Sequence, residues 1–116
     1  MSNEAIKVII KEPCKAPEVT VINNSLSTIK KIVGGDIDFC SPTGIRGVGC
    51  YVNDTGKLIG LCPNLLILDT RGRWCDVLVG CAVFFGISGD IEVSLSDKQI
   101  AKVMDWIREH SLIATA

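Results

Sequence analysis

A chain of 116 residues has room for one hydrophobic core of ordinary size, so we expect a single domain over residues 1–116. The net charge of −1 gives no overall attraction for a phosphate backbone, which excludes duplex nucleic acid as an expected partner. No run of 18 apolar residues occurs, and the first residues lack a basic segment followed by an apolar one. We therefore predict a cytoplasmic protein with no membrane partner.

The hydrophobic fraction of 47% is high for a small domain, which has proportionally more surface to expose to water. Part of the apolar surface is therefore expected to remain outside the core, and a subunit interface is its usual destination. We predict a homo-oligomer, most simply a symmetric dimer. The alternative is that these apolar side chains are scattered singly over the surface.

Two strands are predicted at the start of the chain. Residues 6–12 are rich in β-branched side chains and stop at Pro13, which cannot donate a hydrogen bond to a sheet. Residues 17–22 place Val19 and Val21 on one face of a second strand. Because only a short link joins the two segments, we expect a β-hairpin.

A short helix is predicted next. Asn24 or Ser25 is a suitable N-cap, and apolar residues then recur at helical spacing as far as Val33. Gly34 and Gly35 are expected to end the helix in the left-handed conformation that glycine adopts readily.

The middle of the chain predicts several strands separated by turns. The expected strands cover residues 36–40, 48–52, 57–61, 65–68 and 74–85, the last being the long central strand. The first two pair across the loop 41–47, and turns are expected at residues 53–56 and 70–73. Short β-segments with frequent turns favour a curled, mostly antiparallel sheet.

The C-terminal helix has the clearest local signals. Ser96 and Gln99 form a capping box, and the helix is predicted to continue to about Glu109. Its buried stripe is expected to contain Ile100, Val103, Met104 and Ile107. Trp106 lies beside this stripe and either flanks the core or enters a partner. The predicted fold is α+β, with a short helix after the second strand and this helix packed on the sheet.

Six cysteines are present, but the pattern does not predict a disulfide framework or a zinc site. A cytoplasmic compartment is reducing, no pair has C-x-x-C spacing, and His110 is the only histidine. We therefore expect no bound metal, and most of the cysteines should be small buried apolar residues. Cys40 and Cys50 are placed to face each other across a hairpin, where they could pair on oxidation.

No catalytic motif stands out. The sequence contains neither a P-loop nor a nucleophile elbow, and His110 lies too near the helix end to make a good catalytic base. Asp36 and Asp38 share one strand face, which we interpret as a pair of solvated carboxylates. We predict a protein that is not an enzyme and has no cofactor.

The candidate ligand site is the turn that contains Arg71, Arg73 and Trp74. Two guanidinium groups can bind phosphate, and an indole can stack on a base, so this turn suits a small nucleotide. The alternative is a solvated, charged turn. Three further residues join the site only if the fold or a second subunit brings them to it: Arg46, Asn64 and Arg108.

A series of short motifs runs through nearly the whole chain. They are Glu12-Pro13 with Pro17-x-Val19, Val33-Gly34-Gly35-x-Ile37, Asn53-x-x-Gly56-Lys57-Leu58, Pro63-Asn64, Asp76-x-x-x-Gly80 and Ser94-Leu95-Ser96. In order and spacing the chain resembles an uncharacterised family of small proteins carried by phages and mobile elements, chiefly of Gram-positive hosts. It departs from that pattern in its many cysteines and in Leu65-Leu66.

The resemblance implies a setting more than a mechanism, since that family has no established activity. Small phage proteins of this kind include the anti-Thoeris and other cyclic-nucleotide sponges, which are similar in size and oligomeric habit. The hypothesis is an anti-defence protein that sequesters a small cyclic nucleotide without modifying it. The alternatives are a protein-binding inhibitor of a host defence enzyme, of the antirestriction type, and a small regulatory or structural protein.

Overall fold

The computed structural model describes residues 1–112, apart from the side chain of Trp74. Over those residues the chain forms eight strands and two helices. In chain order they are β1 (Ala5–Lys11), β2 (Glu18–Asn23), α1 (Leu26–Val33), β3 (Ile37–Cys40), β4 (Val48–Asn53), β5 (Pro63–Leu68), β6 (Trp74–Val79), β7 (Ala82–Ser88), β8 (Ile91–Val93) and α2 (Asp97–His110).

Six of the strands form the main sheet, in the order β2-β1-β7-β4-β3, with β8 paired to the second half of β7. The other two, β5 and β6, form a separate hairpin. Every pairing between these strands is antiparallel. The predicted α+β fold, with a mostly antiparallel sheet and helices after β2 and at the C-terminal end, is confirmed.

The main sheet buries side chains on both of its faces. On β7, Val83 and Phe85 pack in a cluster with Val33 of α1, whereas Phe84, which points to the opposite face, packs with Val103 of α2. The sequence predicted a curled sheet, and in the structure the curl is not strong. A sheet covered on both faces does not need to close on itself to bury its apolar residues.

The predicted strand 74–85 is two strands, and they belong to different sheets. The chain breaks at Gly80, which has φ +72°, a backbone conformation that glycine adopts at little cost. A Cβ at this position would lie 2.8 Å from Cδ1 of Leu61. The apolar run continues through the break because residues on both sides of it are buried, so hydropathy alone did not reveal it.

Two smaller predictions are also corrected, and one short strand was not predicted. Most of the cysteines were expected to be buried, but Cys50 is the one that is; Cys14, Cys62 and Cys75 are exposed. Residues 57–61 were expected to form a strand, but residues 54–60 form consecutive turns, in which the Ile59 N–H donates to the Thr55 carbonyl at 3.1 Å. The short strand β8 was not predicted, since three residues carry too little periodicity to identify a strand.

The local signals at the helix ends are confirmed. Ser25 caps α1 by accepting a hydrogen bond from the Thr28 N–H, and Gly34 ends the helix with φ +81°. Ser96 and Gln99 form the predicted capping box of α2. Trp106 flanks the core, with its ring centroid 6.0 Å from that of Phe84.

Among the helices described within residues 1–112, none is long and apolar enough to cross a membrane.

Candidate functional site

A pocket lies between the β1–β2 connection and the C-terminal half of α2. It has a volume of about 470 Å³, within the range usual for small-molecule sites. Three of its lining residues are cationic: Lys11, Lys15 and Arg108. Its apolar wall includes Met104, Ile107 and Leu112.

Lys11 is the most unusual of these residues because its side chain is only 3% exposed. It is the last residue of β1 and stands opposite Ala82 of β7. Its Nζ donates to the Glu12 carbonyl oxygen at 2.7 Å and to Oδ1 of Asn64 at 2.9 Å. An ammonium group has three N–H donors. One donor therefore remains after these two contacts, and within residues 1–112 no carboxylate forms an ion pair with Lys11.

Asn64 determines where the Lys11 ammonium lies. Its side chain is fully buried near the start of β5, and Nδ2 donates to the Lys11 carbonyl at 2.7 Å and to the Gly80 carbonyl at 2.8 Å. These bonds connect the end of β1, the start of β5 and the break between β6 and β7. Because both amide hydrogens are used, the amide orientation that presents Oδ1 to Lys11 is the one that satisfies the buried carbonyls.

The electrostatics of the pocket favour an anion. Burial lowers the pKa of Lys11 below its ordinary value of 10.5, and the nearby thiols of Cys14 and Cys81 act in the opposite direction. Burial disfavours the charged ammonium because it removes water without supplying a counter-charge. An anion bound beside Nζ would supply that counter-charge.

The other two cations lie at the mouth of the pocket. Lys15 Nζ is 3.3 Å from Oε2 of Glu12, and Arg108 Nη1 is 2.9 Å from Oδ1 of Asp105. All four side chains in these two pairs are well exposed. Exposed ion pairs contribute little to stability, so both cations are able to exchange their partners for a ligand anion.

The apolar wall is held in place by the end of α2. Met104 and Ile107 are three positions apart and so share a helix face. Ser111 donates its N–H and its hydroxyl to the Ile107 carbonyl, at 2.9 and 2.6 Å. The Leu112 N–H then donates to the Asn64 carbonyl at 3.0 Å. The wall and the Lys11 ammonium therefore share Asn64 as a support.

The turn predicted as a nucleotide site is organised around Asp69. Oδ1 of Asp69 accepts from the backbone N–H groups of Arg71 and Arg73, both at 2.9 Å, and Oδ2 accepts from Nε of Arg73 at 3.0 Å. The hydrogen bond from the Arg73 backbone, followed by those from the Arg71 backbone and the Arg73 side chain, keeps the pKa of Asp69 below its usual value. Both arginines are exposed, and the side chain of Trp74 lies outside the described residues.

Among the predicted site residues whose side chains the structure describes, two are at the pocket: Arg108 lines it, and Asn64 holds Lys11 beside it. The turn with Arg71 and Arg73 is at the other end of the β5–β6 hairpin. Five residues of extended strand separate Asn64 from the start of this turn, a distance of about 16 Å. The carbonyl of Arg46 accepts from Nε2 of Gln99 near the start of α2, about 14 Å along the helix from Arg108.

The sequence did not identify Lys11 as a site residue, because a lysine at the end of a strand is usually exposed to solvent. One signal was present in the alternation of β1. Lys11 is two positions after Ile9, a core residue, and so falls on the face that packs against α2. A lysine that extends a buried strand face just before a proline is a candidate for a buried cation.

His110, which was considered from the sequence as a catalytic base and as a metal ligand, packs on its own helix, α2. Nδ1 of His110 lies 2.7 Å from the Trp106 carbonyl oxygen, and its ring stacks on the Trp106 ring with centroids 4.2 Å apart. No group of three or more residues with metal-binding side chains occurs within residues 1–112.

The fold and the pocket define a small α+β domain with a recess between a β-hairpin and the C-terminal helix. A family model described as a domain of unknown function, DUF3846, matches residues 6–108. The chain belongs to this family. A search of curated proteins and a search of solved structures each found no match.

Proposed function

We propose that the protein is a non-catalytic binding protein that holds a small anionic ligand in the pocket beside Lys11. The observation that carries the proposal is Lys11, a residue that is 3% exposed and lines a cavity of about 470 Å³. Among residues 1–112 its ammonium has hydrogen-bond partners for two of its three N–H donors. Burying a charge without a partner is costly. A ligand anion that supplies the partner would gain affinity from removing that cost.

The chemistry of the lining favours a ligand with one anionic end and one apolar end. A phosphate or phosphodiester would accept from Lys11 and reach Lys15 and Arg108 at the mouth. A nucleobase or another flat group would lie against Met104 and Ile107. A small nucleotide has both an anionic and an apolar part. We therefore keep the ligand class expected from the sequence and propose that it binds in the pocket rather than at the turn.

The resemblance to proteins of phages and mobile elements supports a narrower proposal. In this form the protein sequesters a cyclic signalling nucleotide of a host defence pathway and releases it unmodified. It acts as a homo-oligomer, for which the exposed apolar side chains Val19 and Val21 of β2 offer a surface. Light scattering that gives the 12.5 kDa monomer at micromolar concentration would remove the oligomer from the proposal.

The test is native mass spectrometry and calorimetry with a panel of cyclic dinucleotides, cyclic trinucleotides and cyclic ADP-ribose isomers. We expect stoichiometric binding of at least one compound, recovered with its mass unchanged. Lys11→Met should weaken binding about tenfold or more, because it removes a charge-assisted hydrogen bond in a site shielded from water. Arg108→Ala should weaken binding less, because Arg108 is exposed.

Three controls distinguish binding at the pocket from binding elsewhere on the protein. Lys98→Ala removes an exposed cation near the start of α2, outside the pocket, and should leave the affinity unchanged. Arg71→Ala and Arg73→Ala test the turn directly. Unchanged affinity in Lys11→Met, with loss in the two turn variants, would return the site to the turn. If the whole panel fails to bind, the nucleotide proposal is wrong.

A second candidate, a protein-binding inhibitor, is favoured by the turn between β4 and β5. Leu58 is 87% exposed and Ile59 is 60% exposed on adjacent positions of this turn. Adjacent exposed apolar side chains of this size are typical of contact surfaces. If a host protein co-purifies with the chain, Leu58→Asp should abolish that association while leaving nucleotide binding at the pocket unchanged.

A further inference from the structure

Three aromatic side chains from neighbouring strands meet on the face of the main sheet that carries α1. The rings of Tyr51 and Phe85 are stacked with centroids 4.6 Å apart. Phe39 of β3 approaches Tyr51 edge-on, at 6.0 Å and an interplanar angle of 72°. Phe85 is buried, whereas Phe39 remains 51% exposed. The cluster therefore has a buried base and an open side.

Gly49 provides the space that these rings occupy. A Cβ at this position would lie 2.7 Å from Cε2 of Phe39 and 3.0 Å from Cε2 of Phe85. Real Cβ atoms do not approach other heavy atoms this closely, so any larger residue would displace the rings. The ring arrangement therefore depends on a glycine in the middle of β4.

The open side of the cluster is a recess of about 230 Å³ with an acidic rim. Asp90 lies on the rim, and Glu92 lines the recess although it is only 7% exposed. The lining contains no lysine or arginine among the described residues. Oε2 of Glu92 accepts from the Tyr51 hydroxyl at 2.6 Å. The other oxygen, Oε1, lies 3.8 Å from the amino-terminal nitrogen of Met1. Asp90 is exposed and forms no ion pair with any residue from 1 to 112.

Glu92 is held in its charged form. Burial acts to raise its pKa, but hydrogen bonds from the Tyr51 hydroxyl, from its own backbone N–H and from Asn24, with the amino-terminal charge, together keep the pKa below its usual value. A carboxylate that stays ionised beside aromatic rings is an arrangement that attracts an organic cation.

We propose that this recess binds the basic side chain, arginine or lysine, of a partner polypeptide. Ring faces attract a cation through their negative quadrupole, and the carboxylates of Asp90 and Glu92 add negative charge that attracts the cation as well. The volume suits a single cationic group rather than a whole folded ligand. The proposal therefore concerns one anchoring side chain.

We expect the cation to belong to a polypeptide because β3, which carries Phe39, is an edge strand of the main sheet. Within the described residues β3 pairs only with β4, so its other edge over Ile37–Cys40 has free backbone donors and acceptors. An extended segment that adds to this edge would place alternate side chains over the face that bears Phe39. The partner segment would thus gain main-chain hydrogen bonds together with the cation contact.

This site is independent of the anion pocket. The recess lies on the α1 face of the sheet, whereas Lys11 lies on the α2 face with Ile9. The charges that the two sites accept are also opposite. Either site can therefore fail its test without affecting the other.

The test is a titration followed by two-dimensional NMR, with an acetylated, amidated pentapeptide of threonine and valine that carries a central arginine. The matched probe has citrulline in place of arginine, which keeps the shape and removes the charge. We expect the arginine peptide to shift the resonances of Tyr51 and Ile91 and to bind about five- to tenfold more tightly than the citrulline peptide. A lysine peptide should behave like the arginine peptide.

Two variants and a control complete the experiment. Phe39→Leu keeps an apolar side chain but removes the exposed ring, and Asp90→Asn removes a rim charge. Each should reduce the preference for arginine over citrulline severalfold. Glu18→Gln, which removes a charge on the opposite edge strand β2, should leave it unchanged. Equal binding of the two peptides to the unmodified protein, or an unchanged preference in Phe39→Leu with a native spectrum, would overturn the proposal.

Discussion

Lys11 and Asn64 are joined by two hydrogen bonds that run in opposite directions. Lys11 Nζ donates to Oδ1 of Asn64 over 2.9 Å, and Nδ2 of Asn64 donates to the Lys11 carbonyl over 2.7 Å. The two residues are 53 positions apart and belong to different sheets. This pair therefore joins the β5–β6 hairpin to the main sheet and at the same time positions the cation of the candidate site.

Replacement of Asn64 should destabilise the whole domain. Asn64→Ala leaves the carbonyls of Lys11 and Gly80 without their donor and removes an acceptor from the Lys11 ammonium. Leaving several buried polar groups unpaired should lower the free energy of unfolding by about 2–4 kcal/mol. Urea unfolding at neutral pH measures this loss. Asn23→Ala, at an exposed position of β2, is the control and should change it by less than about 0.5 kcal/mol. Equal losses in both variants would contradict the role assigned to Asn64.

Anion binding at the pocket should weaken as the pH is raised. The pKa of Lys11 lies below 10.5 in the ligand-free protein because of burial. The bound anion favours the protonated ammonium, so binding takes up a proton when the pH is above this lowered pKa. Affinity should therefore decrease from pH 7 to pH 10 for a cyclic dinucleotide, whose phosphodiester charge is constant over this range. Calorimetry should show the same decrease of affinity with pH for Lys98→Ala as for the unmodified protein, and a smaller decrease for Lys11→Met. If Lys11→Met keeps the full decrease, another group is responsible for the titration.

The same shift predicts how stability depends on pH. The unfolded chain holds the Lys11 proton more tightly than the folded chain does. The contribution of Lys11 to the free energy of unfolding should therefore increase as the pH rises between the lowered pKa and 10.5. Because other groups titrate in this range, the measured quantity is the difference between the unmodified protein and Lys11→Met across the pH series. A difference that does not vary with pH would show that the pKa is not lowered.

Gly86 should be intolerant of any side chain. It lies in the middle of β7, and a Cβ there would be 2.7 Å from the backbone oxygen of Ser94 and 3.1 Å from that of Val93. Backbone atoms of a paired strand cannot move aside without breaking the sheet, so Gly86→Ala should cost about 2–4 kcal/mol. Gly35→Ala meets only the side-chain Nδ2 of Asn53, at 3.0 Å, and should cost less. Thermal and urea unfolding of the two variants should give this order, and the reverse order would show that β8 is not closely paired with β7.

Cys40 and Cys50 should form a disulfide on mild oxidation. They are direct partners in the β3–β4 register, and such partners have Cα separations that a disulfide can span. The hydrogen bond from Cys50 lowers the pKa of the Cys40 thiol, whereas burial raises that of Cys50. Cys40 should therefore supply the attacking thiolate. With oxidised glutathione, peptide mapping should find this pair linked, and Cys40→Ser should abolish the link. Cys62→Ser, at an exposed position, is the control, and a missing link in the unmodified protein would contradict the register.

Most of the fold could be predicted because its signals are local. The caps at Ser25 and Ser96, the helix stop at Gly34 and the pairing of Cys40 with Cys50 each depend on residues close together in the chain. Hydrophobic alternation then indicated which face of each strand is buried. These features do not require knowledge of which distant segments meet.

The division of residues 74–85 between two sheets could not be predicted in the same way. Both halves of this segment are apolar, and Gly80 alone does not show whether a strand bends, bulges or ends. The decision rests with partners elsewhere in the chain, since β6 pairs with β5 and β7 pairs with β1 and β4. Because each half is buried against different strands, the segment forms two strands instead of one.

The candidate site, like the fold, could be predicted only in part. The sequence by itself determined the residue types, a small domain without a P-loop or nucleophile elbow, and the presence of arginines and a lysine next to apolar segments. Only the tertiary structure decided that Lys11, Asn64 and Arg108 gather at one pocket while Arg71 and Arg73 lie at the far end of a hairpin. The physical reason is that the desolvation of a lysine depends on which distant segments cover it. That burial, with the hydrogen bonds that orient the ammonium, exists only after β1, β5 and α2 have packed together.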